Sequence, residues 1–286
     1  MAWRDELTAN EALALADAIA ASGIPYVAFG GGEPLGVAHA WGILERLVAS
    51  GVAIKLETDG SRIDAAGADR LAELAVDCVQ ISVDGATAAT HERVRPGSSH
   101  AAAIGAIERL VTRGLRPQLV FVPTRLNVHE IVAAFDLAVA LGCSAFVTGP
   151  LMRLGRAAAG WDRLSCTDDE WRRAVEALRE RAVASGAPIA LAIYPWDIVT
   201  ELETRLASPQ AMLLVVPNGK VKLLNALPFT AADLRQDTLA QAWDAYRKAW
   251  RSAQVREFVG RCRGEPALLG RANETWPMQL SGSPSA

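Results

Sequence analysis

The stretch VAFGGGEPLGVAHAW, residues 27–41, sets a short apolar run against three consecutive glycines, a glutamate and a proline. The apolar part has the length of a strand, and the residues from Ala38 onward have helical spacing, so a strand hands over to a helix through this loop. Glycine lets the main chain take positive φ and lets a ligand come close to the backbone, while Pro34 fixes the exit. The stretch therefore reads as a binding loop that carries one carboxylate, Glu33.

Outward from the loop, the same alternation continues. Strand-like runs fall at 24–29, 53–58, 78–84, 117–124, 145–148 and 189–194, with helical periodicity at 38–50, 64–74, 100–113, 128–141 and 167–185. Strands joined by helices of this length run parallel with right-handed crossovers, which leaves a doubly wound sheet or a (β/α) barrel. Polar residues and glycines gather at the C-terminal end of almost every run: 30–33, 58–60, 82–85, 124–127, and Gly149 with Arg153. A barrel draws its site from many strand ends and an open sheet from one switch point. The spread selects an α/β fold with a partial (β/α) TIM-like barrel over residues 1–195. Beyond it, 212–217, Asn218-Gly219 and 221–224 form a hairpin signal, followed by a helical stretch at 237–250, so residues 196–286 are expected to be a small C-terminal β-hairpin plus helix.

Composition narrows the partners. A formal net charge of −3 argues against a nucleic-acid surface, and with 21% charged residues no apolar run approaches the roughly 18 residues a membrane span needs. The N-terminal stretch is mixed in charge and amphipathic rather than a basic patch with an apolar core, so the expectation is no signal peptide and a cytoplasmic protein. Cys78, Cys143, Cys166 and Cys262 show no C-x2-C or C-x3-C spacing, and buried thiols are the simple reading.

A glycine-rich loop after a strand first suggests a phosphate cradle. GGGEPLG lacks the Lys-Ser/Thr ending of a P-loop, fits G-x-G-x-x-G only loosely, and places Glu33 where it would repel an anion. A carboxylate among free backbone groups suits an ammonium, such as the amino-acid end of a small molecule.

Four motifs carry a resemblance. GGEP at 31–34, LETDG at 56–60, VQISVDG at 79–85 followed by HERVRPGSS, and Asn127 within TRLNVHEI occur in an order and spacing that resemble the radical SAM superfamily. More narrowly they resemble its members with SPASM or twitch C-terminal extensions, a group that includes peptide-modifying and porphyrin-side-chain enzymes. The segment LMRLGRAAAGWDRLSCTDDEW adds to the likeness, which spans roughly residues 5–250. The resemblance implies S-adenosylmethionine as cofactor and a peptide or tetrapyrrole as substrate. It implies further that Gly31, Gly32 and Glu33 hold the methionyl amino group, that Thr58 and Ser82 line the carboxylate and sulfonium side, that Asn127 meets the ribose, and that Arg153 meets the carboxylate or the substrate. The residues by themselves also allow plainer roles: Thr58 and Ser82 as helix-capping hydroxyls, Asp84 as a turn or N-cap acid, His91 as a surface loop residue.

The chain departs from the family pattern in its cysteines. The resemblance implies a C-x3-C-x2-C motif after the first barrel strand, ahead of residue 5, binding a [4Fe-4S] cluster whose electron cleaves the sulfonium. That spacing does not occur in this sequence, and the C-terminal part offers only Cys262 for an auxiliary cluster. No metal-binding residue is therefore assigned, and a cluster is expected only with an upstream cysteine motif or from a partner. Three readings follow: a radical SAM-type enzyme with its cysteine motif upstream; an inactive family member, a pseudoenzyme acting as partner or regulatory subunit; and a barrel enzyme using Glu33, Asp84, His91 and Glu57 in acid–base chemistry. A barrel short of one strand leaves an open edge, so a protein partner or a homo-oligomer is expected to cover it.

Overall fold

The computed structural model describes residues 5–279. In chain order its elements are α1 (Ala9–Ala21), β1 (Tyr26–Phe29), α2 (Ala40–Ala49), β2 (Ala53–Thr58), α3 (Ala65–Glu73), β3 (Cys78–Ser82), α4 (Ala88–Val94), α5 (His100–Val111), β4 (Gln118–Phe121), α6 (Ile131–Ala140), β5 (Ala145–Thr148), α7 (Gly155–Ala159), α8 (Trp161–Leu164), α9 (Asp168–Ser185), β6 (Ala190–Ile193), α10 (Ile198–Ala207), β7 (Leu214–Val215), β8 (Lys220–Lys222), β9 (Phe229–Asp233), α11 (Leu239–Ala249), α12 (Ala253–Cys262) and β10 (Trp276–Pro277). They divide into two units, one made of Ile19–Leu151 and Arg163–Pro195, the other of residues up to 18, Met152–Asp162 and the stretch from Trp196 onward.

In the first unit six parallel strands lie in the order β1-β2-β3-β4-β5-β6, each paired with its successor in the chain. A doubly wound sheet would reverse its order at a switch point, and this sheet does not, so the partial TIM-like barrel is the architecture. Burial follows period two along β2, β3 and β4. Ile54 and Leu56 of β2, Val79 and Ile81 of β3, Leu119 and Phe121 of β4 and Phe146 of β5 are buried on the helix side. Phe146 meets Phe135 of α6 edge-on with centroids 5.8 Å apart and stacks on Phe121 at 6.1 Å. The intervening residues, Lys55, Glu57, Gln80, Ser82 and Gln118, point away from the helices, as alternation requires. Among the described residues β1 pairs only with β2, and β6 only with β5.

Local chemistry sets the element ends. Asp64, Thr87 and Ser99 cap α3, α4 and α5 by accepting from backbone N–H groups, and Thr167 with Glu170 forms a reciprocal capping box on α9. The expected strands at 78–84 and 117–124 end early because side chains intercept the backbone: the Asp84 N–H donates to His91 Nδ1 at 3.1 Å, and the Val122 N–H donates to Asp84 Oδ1 at 2.7 Å.

The second unit holds a four-stranded sheet in the order β10-β9-β8-β7. β7 and β8 form the hairpin expected at Asn218-Gly219, with Gly219 at φ +80°. β9 extends it antiparallel and β10 joins parallel to β9. Leu202, Leu223, Phe229, Tyr246, Trp250, Phe258 and Cys262 form its buried core. The expected helix at 237–250 is α11, while β9, β10, α10 and α12 are additions that the hairpin-plus-helix expectation lacks. The Leu7 N–H donates to the Pro217 carbonyl at 2.7 Å, which ties the N-terminal stretch into this unit. Lys222 of β8 is 2% exposed, donates to the Ala272 carbonyl, and is pushed by burial down to a pKa of about 8.

Candidate ligand site

The glycine loop leaves β1 and turns into a short 3-10 turn at Pro34–Gly36. Gly31 sits at φ +107°, a conformation L side chains rarely adopt, and a Cβ on Gly31 or Gly32 would meet nothing within 4 Å. The loop backbone is therefore open to an incoming group. Glu33 folds back onto the end of β2. Its Oε2 accepts from Thr58 Oγ1 at 2.7 Å and from the Asp59 N–H at 3.0 Å, and its Oε1 accepts from the Leu35 N–H at 3.2 Å. Thr58, 4% exposed, also accepts from the Gly60 N–H at 3.0 Å, so one hydroxyl fastens both the carboxylate and the next turn. Thr58 is thus not a helix cap; Asp64 caps the following helix.

Glu33 and Asp59 share this corner and move apart in acidity. Burial pushes the Glu33 carboxyl above its ordinary value, with the neighbouring Asp59 adding to the rise. Burial also pushes Asp59 upward, but hydrogen bonding by Ser61, its interaction with the Glu33 carboxyl and the Arg95 charge hold it below its ordinary value. Behind the loop lies a mostly apolar cavity of about 160 Å³, lined by Phe29, Gly30, Leu35, Ile43 and Leu56 among others.

Around the tips of β3 and β4 a second network replaces strand pairing. Asn127 is fully buried; its Oδ1 accepts from Thr124 N at 2.6 Å and Thr124 Oγ1 at 2.8 Å, and its amide donates to the Asp84 carbonyl at 3.0 Å and the Val122 carbonyl at 3.1 Å. All four of its hydrogen-bonding positions are met within the chain. Asp84, 4% exposed, accepts from Val122 and pairs with Arg95 Nε at 3.1 Å, and burial raises its carboxyl. It is neither a turn acid nor an N-cap. His91 is not a surface loop residue either: it lies fully buried in α4, accepting from the Asp84 N–H at Nδ1, with Nε2 3.1 Å from Ser98 Oγ. The acceptor role of Nδ1 puts the proton on Nε2, and burial lowers the imidazole to about 4. Glu130 closes the network by accepting from Ala86 N at 2.8 Å and Thr90 Oγ1 at 2.6 Å.

The first unit thus brings Gly31, Gly32, Glu33 and Thr58 into one corner. Ser82 stands half-buried at the end of the neighbouring strand β3, and Asn127 lies beyond β4. Arg153 belongs to the second unit, with its guanidinium 5.3 Å from the Trp161 ring centroid. Asp59 and Arg95 went unassigned in the sequence, although the LETDG and HERVRPG motifs that contain them were its best signals. Among the described residues no three His, Cys, Asp or Glu side chains group to hold a metal ion. Burial pushes the thiols of Cys143, Cys166 and Cys262 up to about 12, 11 and 11, and raises that of Cys78. None of the four is a ready thiolate, and the described residues do not fit an iron–sulfur cluster.

Comparison with known proteins now bears on this corner. Residues 2–138 match the description of the radical SAM superfamily. This part of the chain is a radical SAM domain. The chain is 36% identical over 165 residues to the mycofactocin maturase MftC of Mycobacterium ulcerans, covering 57% of this chain and 44% of that protein. It therefore spans less than half the length of that relative. It is 25% identical over 280 residues to the AdoMet-dependent heme synthase of Methanosarcina barkeri, covering 90% of this chain and 79% of that one. In structure, SuiB of Streptococcus suis bound to its precursor peptide SuiA superposes with a TM-score of 0.72 at 15% identity, over 87% of this chain and 61% of SuiB. That likeness shows a shared fold alone. Among the described residues no helix is long and apolar enough to cross a membrane.

Proposed function

We propose that the first unit binds S-adenosylmethionine by its methionyl end at residues 31–33, and that the protein serves in the modification of a peptide. The observation that carries the binding is the fixed corner at Glu33: a carboxylate held by Thr58 and Asp59 beside two glycines whose backbone is open. An ammonium needs such a carboxylate, and a backbone without Cβ atoms lets the ligand approach. Thr58 acts here by holding Glu33, and Asn127 acts by holding the tips of β3 and β4, the frame on which Ser82 stands. When bound, S-adenosylmethionine supplies a sulfonium whose carbon–sulfur bond breaks on one-electron reduction.

The peptide reading is supported by the identity to a maturase and by the face of the sheet that the helices leave free. There Gln80 Nε2 donates to Gln118 Oε1 at 2.6 Å, and such amide side chains can exchange their mutual bond for bonds to peptide groups. A tetrapyrrole is the second reading, favoured by the heme synthase alignment over 90% of this chain. The test is calorimetric titration of the purified protein with S-adenosylmethionine, repeated with Glu33→Ala. Micromolar binding that the substitution abolishes supports the site; a folded protein that gives no heat refutes it.

A further inference from the structure

The loop has a second carboxylate, on its other side. Along β2, Leu56 and Thr58 face the helices, so Glu57 between them projects from the opposite face. Phe29 stands in register with Leu56, which puts Gly30, the first glycine of the loop, alongside Glu57. The approach is close: a Cβ built on Gly30 would lie 2.7 Å from Glu57 Oε2 and 3.6 Å from the Glu57 Cβ. Gly30 does not have positive φ. Its lack of a side chain therefore answers to the space that the Glu57 carboxylate occupies.

The two carboxylates differ in what they can still accept. Glu33 is already met by three donors of the chain, Thr58 Oγ1, Asp59 N and Leu35 N. Glu57 pairs with Lys55 Nζ at 2.8 Å, two residues earlier on the same face, and its side chain remains 47% exposed. An exposed pair of this kind is weak and exchangeable, so an arriving ammonium can share the carboxylate. We propose that Glu57 is a direct acceptor for the methionyl ammonium of S-adenosylmethionine, with Gly30 keeping its carboxylate against the loop and Lys55 orienting it. This rests on the cofactor reading above and adds to it a residue outside the glycine motif.

The test compares two ligands on the full chain. S-Adenosylmethionine carries the amino-acid end, and 5′-methylthioadenosine lacks it. For Glu57→Gln, calorimetry is expected to show S-adenosylmethionine binding weakened about tenfold to a hundredfold, the worth of one charge-assisted hydrogen bond, with methylthioadenosine affinity within about twofold of the parent. Gly30→Ala, which displaces the carboxylate without removing it, is expected to give the same selective loss. A Glu57→Gln protein that binds S-adenosylmethionine as the parent does, or that loses both ligands equally, overturns the assignment of Glu57 while leaving the site standing. A parent that binds neither ligand overturns the cofactor reading, and this assignment with it.

Discussion

A protonated imidazole has no lone pair to offer, yet His91 must accept the Asp84 N–H at Nδ1. Burial first, then the charges of His100 and Arg95, lowers its pKa from the ordinary 6.5 to about 4. Between those values the unfolded chain takes up a proton that the native state refuses, so stability rises with pH through that window and is lost on acidification. Denaturant midpoints are expected to fall from pH 7 to pH 5, and His91→Gln, whose amide oxygen can still accept, is expected to flatten that fall; an equally steep fall in the variant would exclude His91 as its source. Asn127→Ala removes four buried hydrogen bonds and is expected to cost about 2–4 kcal/mol in urea unfolding. The sequence singled out Glu33 and Thr58 but left the threonine open to a helix-capping role, and it did not show that the two bond to each other at 2.7 Å. It could not show that Asn127 is satisfied from within, since an amide reads the same whether its partners are a ribose or the next loop. His91 was misread for a related reason: ATHERVRPGSS is polar enough for a surface loop, and only the fold reveals that His91 and Ser98 meet each other while Thr90 and Arg95 turn inward to Glu130 and Asp84.

At the scale of elements, the strands of the first unit were legible through their apolar runs and the helices through their spacing. Helix α4 was not, because seven residues beginning after a Gly-Ala-Thr turn give too short a period to stand out. Its position is fixed by Gly85, where a Cβ would come within 2.4 Å of the His91 backbone nitrogen. No side-chain rotation relieves a clash with backbone. Gly85→Ala is expected to destabilise by about 3 kcal/mol, read as a fall in Tm with circular dichroism reporting on fold; a Tm within a degree of the parent would show that the turn adapts. In the second unit β9 and β10 escaped the sequence because PFTAAD offers neither alternation nor a turn signal, and Trp276-Pro277 is two residues long. Lys222 makes the opposite point: a lysine at the end of a short strand reads as solvent-facing, but here it is buried with its pKa lowered to about 8. The unfolded chain holds that proton up to about 10.5, so this unit is expected to gain stability as pH rises from 8 to 10. Lys222→Met should remove that dependence, which a thermal scan at the two pH values will show.

For the molecule as a whole, the sequential parallel order of six strands was legible from the strand–helix repeat. The boundaries of the two units are a different matter, because a sequence reads in one direction and the second unit is assembled from three separate stretches. Among the described residues β1 and β6 each keep one edge without a partner strand, and such edges pair with other chains when nothing covers them. Self-association that grows with concentration is expected in sedimentation velocity, and Ala28→Pro on β1, which removes one edge N–H, is expected to reduce it; a monomer at all concentrations would mean that the edges are protected. The interleaving also sets a timetable for synthesis. Strands β1 to β6 each find their neighbour in the chain just made, so the barrel unit can grow as it leaves the ribosome. Glu11 waits for Arg235, 224 residues later, to which it is bound at 2.9 Å. At about 5–20 residues per second that is a delay of roughly 10–45 s, during which Glu11 lacks this ion pair and the helix that carries it, without that tie to the C-terminal stretch, can meet chaperones, proteases and neighbouring nascent chains.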